Sequence, residues 1–498
     1  MLGTYYTFPE LLLWLPLLTG IILFFIKNTK AVKGVALAGS LLTLVVSVIS
    51  LFYTDVAHHP EYLAYNNVSY VWMPYIGSSF SVGLDGMGFL LTFLVAFTFP
   101  LIIAFTHKEA YSHAGVYYGL LLLAQAGITG VFVATDALVF YFFWELALIP
   151  MYFLCSRWGG ASRIRVTFKF FIYTFAGSLL MLIGILYVYL HTAPVTPQSD
   201  HSFYIKSFYN TTLSPAAQQG LFWLFFVAFA IKMPLFPFHS WQPDLYETAP
   251  DSSVMVLSGL MVKMGIFALI RWLLPVFPDA FGKYESLVVT LAVISILYGS
   301  LIAMVQSELR RIVAWSSIAH IGLMAAAIFA RNNISLQGAM IEMLNHGINI
   351  IALWMVVDVI EKKTGIKKIS ELGGLASKAP GLATFFLIIV LANIALPLTN
   401  GFIGEFLMFS GLFEYNKILA AFACISVILS AVYMLNMVQK VFFGEAGPAI
   451  RDISVNLTGV QKLVLSVMVA AILILGIYPQ PVLHLTENTV AAIMMNFK

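Results

Sequence analysis

The chain has 498 residues, is 60% apolar and only 10% charged, and has a mean hydropathy of +0.92. Soluble domains carry roughly 25% charged residues, so this composition excludes a water-soluble globule and implies an integral membrane protein. The net charge of +3 is too small and too dispersed for nucleic-acid binding, and Cys155 and Cys424 lie in apolar segments that imply neither a disulfide framework nor a metal site.

Apolar stretches of about 20 residues, enough to span a bilayer, fall near 8–26, 31–53, 84–106, 114–132, 136–156, 167–191, 220–245, 252–275, 286–305, 309–330, 334–360, 382–414, 418–443 and 459–478. They predict an all-α membrane protein of about 14 transmembrane helices. The first run reads as a retained helix, because Glu10 stands ahead of it and the first lysine is Lys27, unlike a cleavable signal. The stretches 220–245 and 382–414 are over-long and carry prolines, the mark of broken helices. Segments 54–83 and 192–219 are long, polar and poor in lysine and arginine. Asp55, His58, His59, Glu61 and Asp85 could attract protons or cations there, but the usual surface habit of these residue types favours plain solvated loop residues. Length alone leaves open whether 479–498 adds an interfacial piece.

Positive charge sets the orientation. With the N-terminus outside, 18 lysines and arginines fall on inner loops, among them Lys108, Lys169, Arg310, Arg311, Lys362 and Arg451. The outer side holds 5, namely Lys206, Lys283, Arg331, Lys417 and Lys498, with Arg271 near a helix end. The positive-inside rule thus expects both termini outside. Only Lys232 and Lys263 remain, both inside the membrane.

An internal repeat is expected from position. The five spans covering 114–275 and the five covering 286–443 begin 172 residues apart, and Lys232 and Glu405, each near a broken helix, are 173 residues apart. Five is odd, so the two units run oppositely through the bilayer, the inverted repeat of transporters with sites at broken helices. Residues 1–106 then form three N-terminal helices and an outer loop, and 444–498 a last helix and tail.

Six ionisable groups sit at membrane depth, one on each of six helices: Glu145, Lys232, Lys263, His320, His346 and Glu405. An ammonium at bilayer depth costs about 3 kcal/mol on insertion scales, so intramembrane charge marks ion or proton paths by default. Each group alone has a plainer explanation, a satisfied interior polar residue that fixes helix packing; six at similar depth weaken it. Glu342, one turn before His346, either shares a relay with that imidazole or simply binds it. No zinc motif, phosphate loop or nucleophile elbow is present, and no cofactor is expected.

The residue types suit protons. A lysine ordinarily titrates near 10.4, too high for ready exchange; burial lowers this and a nearby carboxylate raises it again. Two unit charges about 4 Å apart at an effective dielectric of ~20 gain roughly 4 kcal/mol. Moving one charge through 100 mV costs about 2.3 kcal/mol. A carboxylate approaching and leaving an amine is therefore a switch of the right size for one proton. Sodium would need a cage of oxygen ligands, and lysines in its path repel it.

Several long motifs occur in order: Phe143-Trp144-Glu145-Leu146; Lys232-Met-Pro-Leu-Phe-Pro-Phe-His239-Ser-Trp-Gln-Pro-Asp244; Gly259-Leu-Met-Val-Lys263; Gln306-Ser-Glu-Leu-Arg-Arg311; Ala314-Trp-Ser-Ser-Ile-Ala-His320-Ile-Gly322; and Asn400-Gly-Phe-Ile-Gly-Glu405-Phe406. From about Asp85 to about Gly444 the chain resembles the antiporter-like membrane subunits of respiratory complex I, the proton-translocating NADH:quinone oxidoreductase. The resemblance implies fourteen core helices with inverted repeats and proton translocation along a central hydrophilic axis. In that family the broken second-half helix carries lysine in the L and N types and glutamate in the M type. Glu405, a length near 500 and the lack of a long C-terminal lateral helix resemble the M type. The resemblance further implies that Glu145 and Lys232 form a switch pair, that Lys263, His320 and His346 relay, and that Glu405 faces the exit. It implies L- and N-type homologues as neighbours, a bacterial inner membrane, and redox sites for flavin, iron–sulfur clusters and quinone in other subunits. Glu109 matches another acidic family position less closely, and Glu342 and Asp358 are departures. The alternatives are a subunit of a multi-chain sodium/proton antiporter, the membrane arm of a hydrogenase-type complex, a structural spacer, and, least, a free-standing solute transporter.

Overall fold

In lipid every backbone polar group must be satisfied within the protein, which turns long apolar runs into helices. The structure, a computed structural model, describes residues 7–53, 65–194, 199–445 and 455–495. Its helices are α1 (Phe8–Leu23), α2 (Thr29–Tyr53), α3 (Gly86–Phe105), α4 (Ala114–Val133), α5 (Ala137–Trp158), α6 (Arg163–Tyr189), the short α7 (Ile205–Tyr209), α8 (Pro215–Lys232) and α9 (Gln242–Thr248). They continue as α10 (Asp251–Val276), α11 (Pro278–Val305), α12 (Leu309–Phe329), α13 (Asn333–Thr364), α14 (Pro380–Asn393), α15 (Asn400–Tyr415), α16 (Lys417–Phe442), α17 (Gly459–Ile477) and α18 (Gln480–Met495). Among the described residues 11 helices are long and apolar enough to cross a membrane, and α1 and α14 are shorter apolar helices.

The two over-long stretches are broken where the prolines predict. The first stops at Lys232 and resumes as α9; the second stops at Asn393 and resumes as α15. Helices α4, α5, α6, α8 and α10 begin 164 to 172 residues before α11, α12, α13, α14 and α16. The breaks themselves are not equivalent. Lys232 closes the half-helix before its break, whereas Glu405 lies in the half-helix after its break.

Helices α10 and α13 form the centre: every residue of their apolar windows is buried, against 28% for α2 and α16 at the rim. Their contact is close because a side chain is missing where they meet. A Cβ on Gly259 of α10 would lie 2.4 Å from the Ile351 side chain, and one on Gly347 of α13 would lie 3.2 Å from the Gly259 carbonyl oxygen. Small residues let membrane helices approach in this way. Helix α10 is also widened by π segments at Leu257–Met261 and Leu269–Leu273, either side of Lys263.

The polar segment between α2 and α3 holds more order than its polarity predicts. Tyr65–Met73 (β1) and Ser78–Leu84 (β2) pair as an antiparallel hairpin, with aromatic and β-branched residues that suit strands and Gly77 in the left-handed region at its turn. Asp55, His58, His59, Glu61, Arg451 and Lys498 lie outside the described residues. Asp85 corrects the expectation of a solvated loop residue. It is 4% exposed, caps α3 by accepting from the Gly88 N–H at 2.8 Å, and pairs with Arg271 of α10 at 2.6 Å. A cation some 186 residues away in sequence is what makes its burial tolerable. Asp136 likewise caps α5 through the Leu138 and Val139 N–H groups, and burial lifts its carboxyl to about 6. Residues 480–495, left open by length, form α18, packed on α3 and α13.

Candidate functional site

Breaking a helix in lipid frees backbone groups that something must satisfy. At the first break the Trp241 indole N–H donates to the Ile231 carbonyl at 3.0 Å, and the Phe236 N–H donates to Ser295 Oγ at 3.3 Å. At the second break the partners come from α13. Asn345 donates to the Asn400 carbonyl at 2.8 Å and Asn349 to the Ala392 carbonyl at 3.4 Å. Ala395 and Leu398 adopt the left-handed backbone there, a strained conformation for such residues that clusters at functional sites. The helix carrying His346 thus holds open the break that presents Glu405.

Lys232 is 2% exposed. Its ammonium lies over the Trp144 ring, 5.3 Å from the centroid, and at the C-terminal end of α8, where the helix dipole favours a cation. Among the described residues Lys232 Nζ and Glu145 Oε1 have no hydrogen-bond partner. Glu145 is half-buried and turns toward Ser178 of α6 while staying within electrostatic reach of Lys232. The two side chains expected as a pair are therefore neighbours with no hydrogen bond between them.

The other four groups make one chain of contacts. Lys263, fully buried, donates from Nζ to the Ser258 carbonyl at 3.0 Å and meets His346 Nδ1 at 2.7 Å. An ammonium is donor-only, so His346 Nδ1 accepts from it and carries its own proton on Nε2. The His346 and His320 rings lie 5.4 Å apart between centroids, and His320 Nδ1 is 3.1 Å from Glu405 Oε1. Four helices (α10, α13, α12 and α15) contribute one group each. The order is amine, imidazole, imidazole, carboxylate, and between the two rings no hydrogen bond is made: the His346 and His320 Nε2 atoms have no partner among the described residues, so a proton must cross that gap.

Sequence reasoning singled out Glu342 without placing it. It belongs here: atoms of Glu342, His320 and Glu405 all lie within 4.8 Å of one another. The i,i+4 spacing to His346 was the available signal. What it did not reveal was a charge network at one end of the central helices. Lys362 pairs with Asp251 at 2.8 Å and Asp358 at 2.7 Å, and also with Glu109. Arg310 joins Asp251 to Glu361, the latter at 2.6 Å, while Arg311 binds Glu247 at 2.8 Å and Asp244 at 3.1 Å, and Lys169 binds Asp244 at 3.2 Å. Glu109 and Asp358, whose roles were open, are thus tied by Lys362. Tyr111 bonds Glu109, and Tyr117 bonds Ser252 just behind; burial holds the Tyr111 phenol well above its ordinary range.

Residues 134–430 match the family described as NADH:quinone oxidoreductase/Mrp antiporter, transmembrane. The chain belongs to this family. It is 35% identical to the NADH-quinone oxidoreductase subunit M of Rickettsia prowazekii, across 97% of this chain and 98% of that protein. It is 34% identical to the F(420)H(2) dehydrogenase subunit M of Methanosarcina mazei, across 97% of each. Its structure is similar to a chain of the respiratory complex I from Thermus thermophilus with bound NADH, at a TM-score of 0.89 and 29% identity, over 99% of this chain and 100% of that one. As a member of the NADH:quinone oxidoreductase/Mrp antiporter family it is a multi-pass integral membrane protein. All six ionisable groups of the site, and Glu342, fall inside the stretch that matches the family.

Proposed function

We propose that this chain is the M-type proton-translocating membrane subunit of an NADH:quinone oxidoreductase, set in a bacterial inner membrane with both termini outside. It carries protons from the inner to the outer side through Glu145, Lys232, Lys263, His346, His320 and Glu405. The observation that carries this reading is the contact chain from Lys263 through His346 and His320 to Glu405, buried across four helices. Redox chemistry takes place in other subunits, with L- and N-type homologues beside this chain. The Methanosarcina mazei relative, named for a different electron donor, supports a module that serves the pump rather than the redox step. The helices within 114–275 and 286–443 act as two inverted units, one carrying Glu145, Lys232 and Lys263, the other His320, His346 and Glu405.

The separation of Glu145 from Lys232 is one position of the switch. With the carboxylate turned to Ser178, the Lys232 ammonium has only the Trp144 ring and the helix end to hold its charge, and proton release is favoured. With the carboxylate drawn to about 4 Å, the pair gains roughly 4 kcal/mol at an effective dielectric of ~20, and the amine keeps its proton. That difference exceeds the roughly 2.3 kcal/mol needed to move one charge against 100 mV.

Glu405→Gln tests the exit end. In the purified complex reconstituted into vesicles, NADH-driven acidification read by a pH-sensitive dye should fall several-fold, with the complex intact on a native gel. Acidification at the parental rate in an intact complex would overturn the assignment of Glu405.

A further inference from the structure

Resting on the proton route above, one buried acid has no place in it yet. Glu342 is 2% exposed, and its Oε2 has no hydrogen-bond partner among the described residues. This oxygen lies against the backbone of α15: a Cβ on Gly404 would come within 2.2 Å of it. The residue next to Glu405 is therefore a glycine at the point where a larger residue would expel the Glu342 carboxyl. Both carboxyls and the His320 ring share one site with polar atoms within 4.8 Å of one another, and Glu342 is also within electrostatic reach of Lys263.

We infer that Glu342 and Glu405 hold one proton between them, forming a two-carboxyl storage site at the end of the chain from Lys263 through His346 and His320. Charge balance is the reason. Two ionised carboxylates this close and this deep repel strongly, and like-charged pairs of this kind settle on one shared proton. While Lys263 is a neutral amine, the shared proton removes one of the two negative charges; once the ammonium is restored it takes over that balance and the proton can leave.

The N–H bond at His320 Nδ1 of the imidazolium breaks and an O–H bond forms at Glu405 Oε1, leaving a neutral imidazole and a carboxylic acid. That acid and the Glu342 carboxylate then share the proton. When the next proton reaches Lys263, the restored ammonium stabilises both carboxylates. The O–H bond breaks, and the proton leaves on the side of Glu405 where the hydroxyl-bearing Ser300, Ser426, Ser430 and Tyr433 are among the residues lining a small cavity. Glu342 thus acts as a proton-holding group.

The test is infrared difference spectroscopy on the whole purified complex, beside its proton-to-electron ratio, for the parent, Glu342→Gln, Glu405→Gln and Glu145→Gln. Glutamine keeps the volume beside Gly404. A carboxylic acid C=O band should appear in the parent on turnover, vanish in Glu342→Gln, and shift or vanish in Glu405→Gln. Glu342→Gln should also lower the proton-to-electron ratio at least twofold. Should Glu342→Gln not assemble, the band in the parent and its change in Glu405→Gln still decide: a band unaltered by Glu405→Gln overturns the shared proton. An unchanged band and ratio in Glu342→Gln, with the ratio lost in Glu145→Gln, would overturn this inference alone. An unchanged ratio in Glu145→Gln as well would overturn the route on which it rests.

Discussion

Lys232→Met is expected to cut redox-driven proton pumping about tenfold or more while leaving the assembled complex as heat-stable as the parent, or more so. The two halves of this result have one cause. Lys232 is buried with no hydrogen-bond partner, so its ammonium carries a desolvation cost that an apolar side chain of similar size does not. The same ammonium is the group that Glu145 switches, and a coupling of only ~1.4 kcal/mol already corresponds to a tenfold change. Methionine fills the space over Trp144 and cannot carry a proton. Glu145→Gln should lose pumping similarly, without a stability gain, because Glu145 is only half-buried. Thermal denaturation of the purified complex and dye-monitored pumping on the same sample check both halves. A merely structural spacer predicts that pumping survives both substitutions.

The second large effect concerns stability alone. Arg271 and Asp85 pair at 2.6 Å with side chains only 3% exposed. Removing one partner strands the other as a buried charge, at a cost of about 3–5 kcal/mol. Arg271→Met should therefore sharply lower the temperature at which the chain stays in its complex. The double variant Asp85→Asn, Arg271→Met should recover most of the loss, since asparagine still offers an oxygen to the Gly88 N–H that Asp85 caps. The pairing energy is then read from the double-mutant cycle. If the double variant is no better than Arg271→Met alone, the ion pair is not the reason Arg271 matters.

Much of this molecule was legible before any coordinates, and for a clear physical reason. Lipid forbids unsatisfied backbone, so hydropathy maps directly onto helices, and prolines after Lys232 and around Pro397 mark the breaks. Buried charge is costly, so six ionisable residues at depth announce themselves one by one. What sequence could not supply is who touches whom. Nothing in the run around Lys232 says that its ammonium lies over Trp144 without a hydrogen-bond partner. Asp85 looked like a loop acid because its partner, Arg271, is far along the chain. Glu342 was visible as a turn before His346, but its place beside Glu405 depends on Gly404, across a helix interface. The π segments flanking Lys263 left no trace in hydropathy, since all ten of their residues but Ser258, Gly259 and Arg271 are large and apolar.

The central claim is that protons pass through the buried chain that starts at Lys263. The most direct measurement is the proton-to-electron ratio of the complex in vesicles carrying Lys263→Met, at a fixed rate of quinone reduction. The ratio should fall below the parent's, because His346 loses the 2.7 Å contact that feeds it. An intact complex with the parental ratio would mean that protons take another way through the membrane.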